Sequence, residues 1–460
     1  MYNNVYIGKA TRKVRIDMYS KRSEQTRVVI VGAGFAGLAA AKVFTEAPVE
    51  VLLLDRNNYH TFLPLLYQVA AAEVDPSQIG FPIRTILRPL DNVDFMMAEV
   101  DRVDLESETV ITQQGPVPYD YLILATGSEA RFFGILGAEA STFTMKSLTD
   151  GIDLRNHMLA KFEEASRERD EERRKRLLTF VIIGGGPSGV EYAGALMELI
   201  DGPLAKDYPN FCVEDARVVL VEATSSLLGT MPQKLGRYSV ERLQKMGVEV
   251  LLDTAVAEVT PESVLLTNGS EIATETAVWT AGVGGEGTAA RSGINIRPNN
   301  TVSVLPTLQM LDEPNVYVAG DLAAFEQDGA YLPMVAQVAM QQGEAAANNI
   351  MRQIAGKPLQ RFVYKDKGSM AVIGRNAAVA NIAGRAITGF AAWLIWLLVH
   401  IAQLIGYRNR LLVLVNWAWS YFAFERLVRL ILPNRLLIEE EKQGVVADPD
   451  RPVEPEFVNE

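Results

Sequence analysis

The chain has 460 residues, 48% of them hydrophobic, enough to bury large cores and fill two or three domains. Its net charge of −12 excludes broad attraction to nucleic acid. One cysteine, Cys212, and three scattered histidines, His60, His157 and His400, exclude internal disulfides, cysteine-pair chemistry and a metal centre built from Cys or His.

Residues 1–24 are basic and polar, lack the apolar run of a secretory signal, and read as a mobile arm. The stretch VVIVGAGFAGLAA (28–40) then predicts a buried parallel strand, a glycine turn and an Ala-rich helix. Gly32, Gly34 and Gly37 form G-x-G-x-x-G: the first permits the tight turn, the second lets backbone approach a pyrophosphate, the third allows close helix–strand packing. The apolar run VEVLLLD ends in Asp55, where a carboxylate takes ribose hydroxyls. From Asn57 to Ile83, Pro64 and Pro76 interrupt an aromatic-rich loop with short helical pieces, which reads as core packing or as a lid. Strands around 93–99 and 108–112 follow. Leu122 to Ala125 then form a strand that turns at Thr126–Gly127.

Residues 161–176 predict a solvated, charged connecting helix. It leads into a second strand–turn–helix unit, with Gly184, Gly186 and Gly189 at the first unit's spacing. The strand ARVVLVEA ends in Glu222, a carboxylate that accepts ribose hydroxyls and repels a 2′-phosphate, favouring NADH over NADPH. Glu191 reads either as a carboxylate favoured by the positive helix end or as a group facing the slot between the nucleotides. Strands near 248–252, 256–259 and 263–266 look antiparallel, and Val278 to Ala281 close the second unit. The strand Val316 to Ala319 meets a turn at Gly320, with Asp321 opening a helix; Gly-Asp there is a cofactor contact or a simple turn.

An amphipathic helix starts near Pro333. Ala336 keeps its beginning slim, and Gln337 and Gln341 share one face, as a site or as a solvated stripe. From Ile387 onward, FAAWLIWLLVHIAQLIG would span about 26 Å as a helix, short of a hydrocarbon core of about 30 Å. Trp393, Trp396, Trp417, Trp419 and Tyr421 are interface-type aromatics. Arg385, Arg408, Arg410, Arg426, Arg429 and Arg435 can meet lipid phosphates. This pattern favours a pair of helices docked on one face of a membrane over a transmembrane hairpin or a purely apolar dimer interface. The tail after Glu439 is acidic and reads as disordered.

HTFLPLLYQVA (60–70), GGGPSGVE (184–191), AQVAMQQG (336–343), DKGSMAVIGR (366–375) and YRNRLLVLVNWAWSYF (407–422) together resemble the type II, non-proton-pumping NADH:quinone oxidoreductases of the two-dinucleotide-binding flavoproteins. The resemblance implies an α/β fold with two Rossmann-like domains and a C-terminal amphipathic docking region. FAD binding would occupy 25–150 and 301–384, NADH binding 151–300 and docking 385–438. Non-covalent FAD would lie along Gly32, Gly34 and Gly37, with Asp55 on its ribose, Thr126 and Gly127 nearby, and Gly320 and Asp321 near the ribityl–pyrophosphate region. NADH, as substrate, would lie along Gly184, Gly186 and Gly189 with Glu222 on its ribose. Glu191 matches a glutamate that positions nicotinamide or joins a proton route. Ala336, Gln337 and Gln341 match the quinone-site helix, and Lys367 the lysine near the quinone tunnel. The implied reaction passes a hydride from NADH to flavin and two electrons to a membrane quinone. The implied setting is a homodimer on the bilayer surface, peripheral on the cytoplasmic face. The same fold reducing a specialised quinone in quinone biosynthesis is the alternative, and a non-catalytic redox sensor or scaffold a more distant one.

Overall fold

The computed structural model describes residues 25–209, 215–423, 425, 426 and 428–431. The basic arm, Cys212, Arg435 and the acidic tail lie outside the described residues.

The run RVVIV forms strand β1 (Arg27–Val31), buried along its whole length. Helix α1 (Phe35–Val43) follows the glycine turn, and β2 (Glu50–Asp55) returns beside β1, pairing Val31 with Leu54. With Val93–Met97, Tyr121–Leu124, Glu313–Val318 and Gln309–Met310 they make a six-stranded sheet, parallel except for its last pair. Its strands therefore come from two separate stretches of the chain, 27–124 and 309–318. A fully buried Val or Leu is worth about 1.5–3 kcal/mol over an exposed one, and strands apolar on both faces are stable only between two covering layers.

The same device recurs in β3 (Thr179–Ile183), α2 (Pro187–Leu199) and β4 (Arg217–Val221). Their five-stranded sheet is wholly parallel, in the order Phe143–Thr144, Thr276–Trp279, β3, β4, Glu249–Leu251. Two expectations change here. Residues 249–251 pair parallel to β4, leaving 256–259, 263–266 and 271–273 as the antiparallel layer. The second sheet also recruits Phe143–Thr144, upstream of the expected boundary at 151. The charged connector is two helices: Leu148–Ala165 ends, and Asp170 caps a new helix at Glu171–Leu177 by accepting from Glu172 N and Arg173 N. Strands Ser128–Ala130 and Val283–Gly285 pair antiparallel where the chain passes between the two sheets.

Helix α3 (Ala336–Ile354) packs across α1 so closely that a Cβ on Gly343 would stand 2.1 Å from the Ala36 carbonyl oxygen. This contact seats Gly343 of α3 against the first glycine turn. A three-stranded antiparallel sheet follows, opened by β5 (Ser369–Gly374), and leads to helices α4 (Phe390–Gln403) and α5 (Tyr407–Ala423). No described helix is long and apolar enough to cross a membrane.

Candidate active site

The two glycine turns are built alike. Gly32 and Gly184 have φ of +102° and +111°, and a Cβ on either would strike backbone, at Ala125 and Ala281 respectively. In each, the acid ending the second strand reaches back into the turn. Asp55 Oδ2 accepts from Ala33 N at 2.7 Å, and Glu222 Oε2 accepts from Gly185 N at 2.6 Å. Their second oxygens take Asn57 N (2.7 Å) and Thr224 N (2.8 Å). Burial raises the Asp55 carboxyl above its usual range, and the two amides offset this only in part.

Space opens where a cofactor would need it. Beta carbons on Gly34, Gly127 or Gly186 would meet nothing within 4 Å, whereas one on Gly37 or Gly189 would strike the turn carbonyl. The buried Thr126 hydroxyl has no partner among the described residues, unlike Thr280 beside the second turn, which donates to Ile183 O and Gly184 O. An open cradle with an unmatched hydroxyl fits a bound dinucleotide at the first turn. Asp321 opens a single 3-10 turn, Gly320–Leu322, not a longer helix. Its Oδ2 accepts from Ser128 Oγ at 2.6 Å, and Gly320 N donates to Gln342 Oε1 at 2.8 Å. Lys146, its charge disfavoured by burial and supported by Asp321 and then Asp150, faces the same place.

Gln337 and Gln341 are half-buried and do not stand free. Gln337 donates to Gly368 O (2.9 Å) and accepts from Lys367 N (3.1 Å). Gln341 makes the same two-bond ring with Lys365 O and Lys365 N, both at 3.0 Å. The two amides thus clamp the main chain of 365–368 to α3, and Lys367 itself is exposed beside the clamp.

Glu191 is buried on the face of α2 that meets β5. Gly194, one helical turn on, lets α2 press against β5, where a Cβ would stand 2.7 Å from Ile373 O. That face of α2 points Glu191 into a cavity of about 60 Å³ bordered by Tyr67, Glu73, Glu198, Arg375 and Trp396. Its carboxyl accepts from Val372 N at 3.3 Å. Burial pushes it up to about 8, with the Val372 amide and then the Trp396 indole opposing. Trp396 Nε1 makes no hydrogen bond of good geometry, so it acts as a nearby dipole.

Arg426 was expected at lipid phosphates but is buried. It donates to Ala71 O (2.9 Å), Ala195 O (2.8 Å) and Glu198 Oε2 (3.3 Å). Glu73, raised by burial and lowered by Arg426, lies 3.9 Å away. Arg429 pairs with Asp207, and Arg410 caps α4 through Ala402 O and Leu404 O. Arg385 and Arg408 are exposed. Trp396 and Trp417 turn inward, Trp417 donating to Gln68 Oε1 at 3.0 Å, while Trp419 stays out. Phe390, Leu394 and Leu398 form an exposed stripe on α4; Leu411, Val415, Trp419 and Phe422 continue it on α5. His60 and His400 bond Ala33 O and Trp396 O, and the described residues hold no group able to bind a metal.

Sequence reasoning missed Thr126's orphan hydroxyl, Ser128, Gln342 and the Arg426 cluster. Only Gln342 left a signal: it stands next to Gln341 on the opposite, buried face of α3.

The pyridine nucleotide-disulphide oxidoreductase family matches residues 26–343, and the NDH2 C-terminal domain matches 367–426. The type II NADH:quinone oxidoreductase Ndh of Mycobacterium tuberculosis is 39% identical over 415 residues, covering 87% of this chain and 89% of that one. The chain belongs to the type II NADH:quinone oxidoreductases. An Arabidopsis thaliana relative, the mitochondrial internal alternative NAD(P)H-ubiquinone oxidoreductase A1, is 28% identical over 437 residues, with 87% and 85% coverage. NDH2 of Plasmodium falciparum in complex with NADH superposes with a TM-score of 0.81 over 89% of this chain and all of that one; at 19% identity this likeness concerns the fold alone.

Proposed function

We infer that this chain is a flavoprotein that oxidises NADH and reduces quinone without pumping protons. Membership of the family and the paired carboxylate-closed glycine turns support that reading together. The chemistry FAD supplies when bound is two-electron transfer between NADH and quinone. The chain's own part is to hold, orient and protonate. Gly32, Gly34 and Gly37 with Asp55, Thr126, Gly127, Gly320 and Asp321 hold the flavin nucleotide. Gly184, Gly186 and Gly189 with Glu222 hold NADH, and Glu222 disfavours a 2′-phosphate because Ala223 supplies no cation. Gln337 and Gln341 fix the 365–368 segment beside Ala336, so that quinone meets a rigid wall. Glu191, neutral at pH 7 because burial raises it to about 8, is a proton store for quinone reduction.

The apolar stripe of α4 and α5 docks the protein on one bilayer surface, on the cytoplasmic side where NADH is available, and the protein acts as a homodimer. The carrying observation is the repeated bond from strand-end acid to turn amide, Asp55 to Ala33 and Glu222 to Gly185. The test is detergent-purified protein with a yellow flavin spectrum that turns over NADH only when quinone is supplied. Light scattering reads the dimer, and flotation with vesicles reads the docking. Turnover with no quinone requirement would refute the acceptor assignment.

A further inference from the structure

A second cavity, of about 250 Å³, is bordered by Arg131, Arg297, Asn299, Thr301, Tyr331 and Met334. Arg131 follows the linking strand Ser128–Ala130. Its amide donates to Gly282 O at 3.2 Å and its carbonyl accepts the Trp279 indole N–H at 3.0 Å, pinning it where the strand Thr276–Trp279 ends. That strand end also abuts the second glycine turn, since a Cβ on Gly184 would lie 2.5 Å from Ala281 Cα. The Arg131 side chain then runs past Gly284, its Cδ 3.7 Å from where a Cβ there would sit. Its guanidinium lies 5.5 Å from the Phe133 ring, and that of Arg297 lies 4.2 Å over Tyr331.

Neither guanidinium makes an ion pair or hydrogen bond with another described residue. Thr301 donates to Asn299 Oδ1 at 2.6 Å, leaving the Asn299 NH₂ for the cavity. The wall thus offers cations and donors, with no carboxylate among its residues, in a chain whose net charge is −12. Such a wall suits an anion, and planar guanidiniums suit phosphate.

The topology says which anion. In the second sheet β3 lies between β4 and the strand Thr276–Trp279, so the ligand crevice crosses the carboxyl ends of these three. Glu222, just past β4, marks the adenosine end. The other half of the dinucleotide then travels toward Ala281 and Gly282, the edge where Arg131 is pinned. Met334, two residues before α3, borders the far side.

We propose that Arg131 and Arg297 form an anion subsite in the NADH cleft, gripping the diphosphate bridge from its nicotinamide side. The proposal rests on the NADH reading above. It places a positive clamp beyond the glycine turn, so that the turn and the clamp together set how far the nicotinamide half reaches.

The experiment uses holoenzyme with Arg131→Ala, Arg297→Ala, Arg131→Lys and Arg297→Lys, each checked for native flavin content and melting temperature. Each alanine variant raises the KM for NADH about 10-fold, the worth of one charge-assisted hydrogen bond, with a much smaller change in kcat. The lysine variants, which keep the charge but lose the planar fork, fall between. Inorganic pyrophosphate competes with NADH in the native enzyme and competes more weakly in the alanine variants. An unchanged KM for NADH overturns the proposal. So does pyrophosphate inhibition that is not competitive with NADH, which would make the cavity a separate anion site. Native holoenzyme whose flavin NADH fails to bleach would sink the reading beneath the proposal, and the proposal with it.

Discussion

Replacing Glu191 with Gln keeps the side chain's volume and removes its proton. The carboxyl sits at about 8 against an ordinary 4.5, and at 1.36 kcal/mol for each tenfold change in proton affinity its neutral form is favoured by about 5 kcal/mol in the fold. The sign follows from burial. Below about 4.5 both folded and unfolded chains hold the proton and the contribution is complete. As pH rises the unfolded chain ionises first, the contribution shrinks, and it is lost once pH passes about 8. The same titration empties the proton store. Reoxidation of pre-reduced enzyme by a short-chain quinone, followed by flavin absorbance, is therefore fast below pH 8 and declines above it. Glu191→Gln removes that decline and lowers the rate about 10²-fold, a usual loss for a general acid. Reduction by NADH is affected far less, because the cavity is walled in part by α4 and α5 and by no residue of either glycine turn. A native profile flat across pH 8, or a Gln variant with the native decline, would refute the reasoning.

Glu222→Ala lowers the preference for NADH over NADPH about 10-fold or more in kcat/KM; an unchanged ratio removes Glu222 from the ribose. Gln337→Ala breaks one of the two amide rings on 365–368, and stopped-flow traces show flavin reoxidation by quinone slowed more than reduction by NADH; equal slowing argues against the assignment. Arg426→Ala removes the closest cation from Glu73 and Glu198 at a buried junction and costs about 3–5 kcal/mol in denaturant unfolding, while a loss under about 1 kcal/mol would contradict a stabilising role for the Arg426 cluster. Leu398→Lys with Phe422→Lys, both on the exposed stripe, releases the protein from vesicles in flotation assays, and native flotation would sink the docking role.

The parallel cores were legible because four consecutive β-branched residues before a glycine turn admit few other readings, and the second copy of that pattern confirmed the first. Asp55 and Glu222 were found by their place at strand ends. Strand direction was not legible at 249–251: a three-residue run carries no mark of its partner, and β4 decided it. Of the arginines read as outward, Arg385 and Arg408 are exposed, while Arg410, Arg426 and Arg429 were misread for a similar reason. Arg426 bonds a carbonyl 355 positions earlier, and nothing near it in sequence announces that contact. Gln337 and Gln341 were picked out correctly as one face, but what that face grips is a segment 24 to 31 residues further on. Glu191 was singled out, and only the approach of α2 to β5 shows which way it points.

The central claim is that one chain passes electrons from NADH through a bound flavin to quinone. The most direct measurement is double-mixing stopped flow on detergent-purified protein, with flavin absorbance followed first after NADH and then after a short-chain quinone. Bleaching by NADH and rapid recovery with quinone is the expected result. Bleaching without quinone-driven recovery, or well-folded protein that carries no flavin, would contradict it.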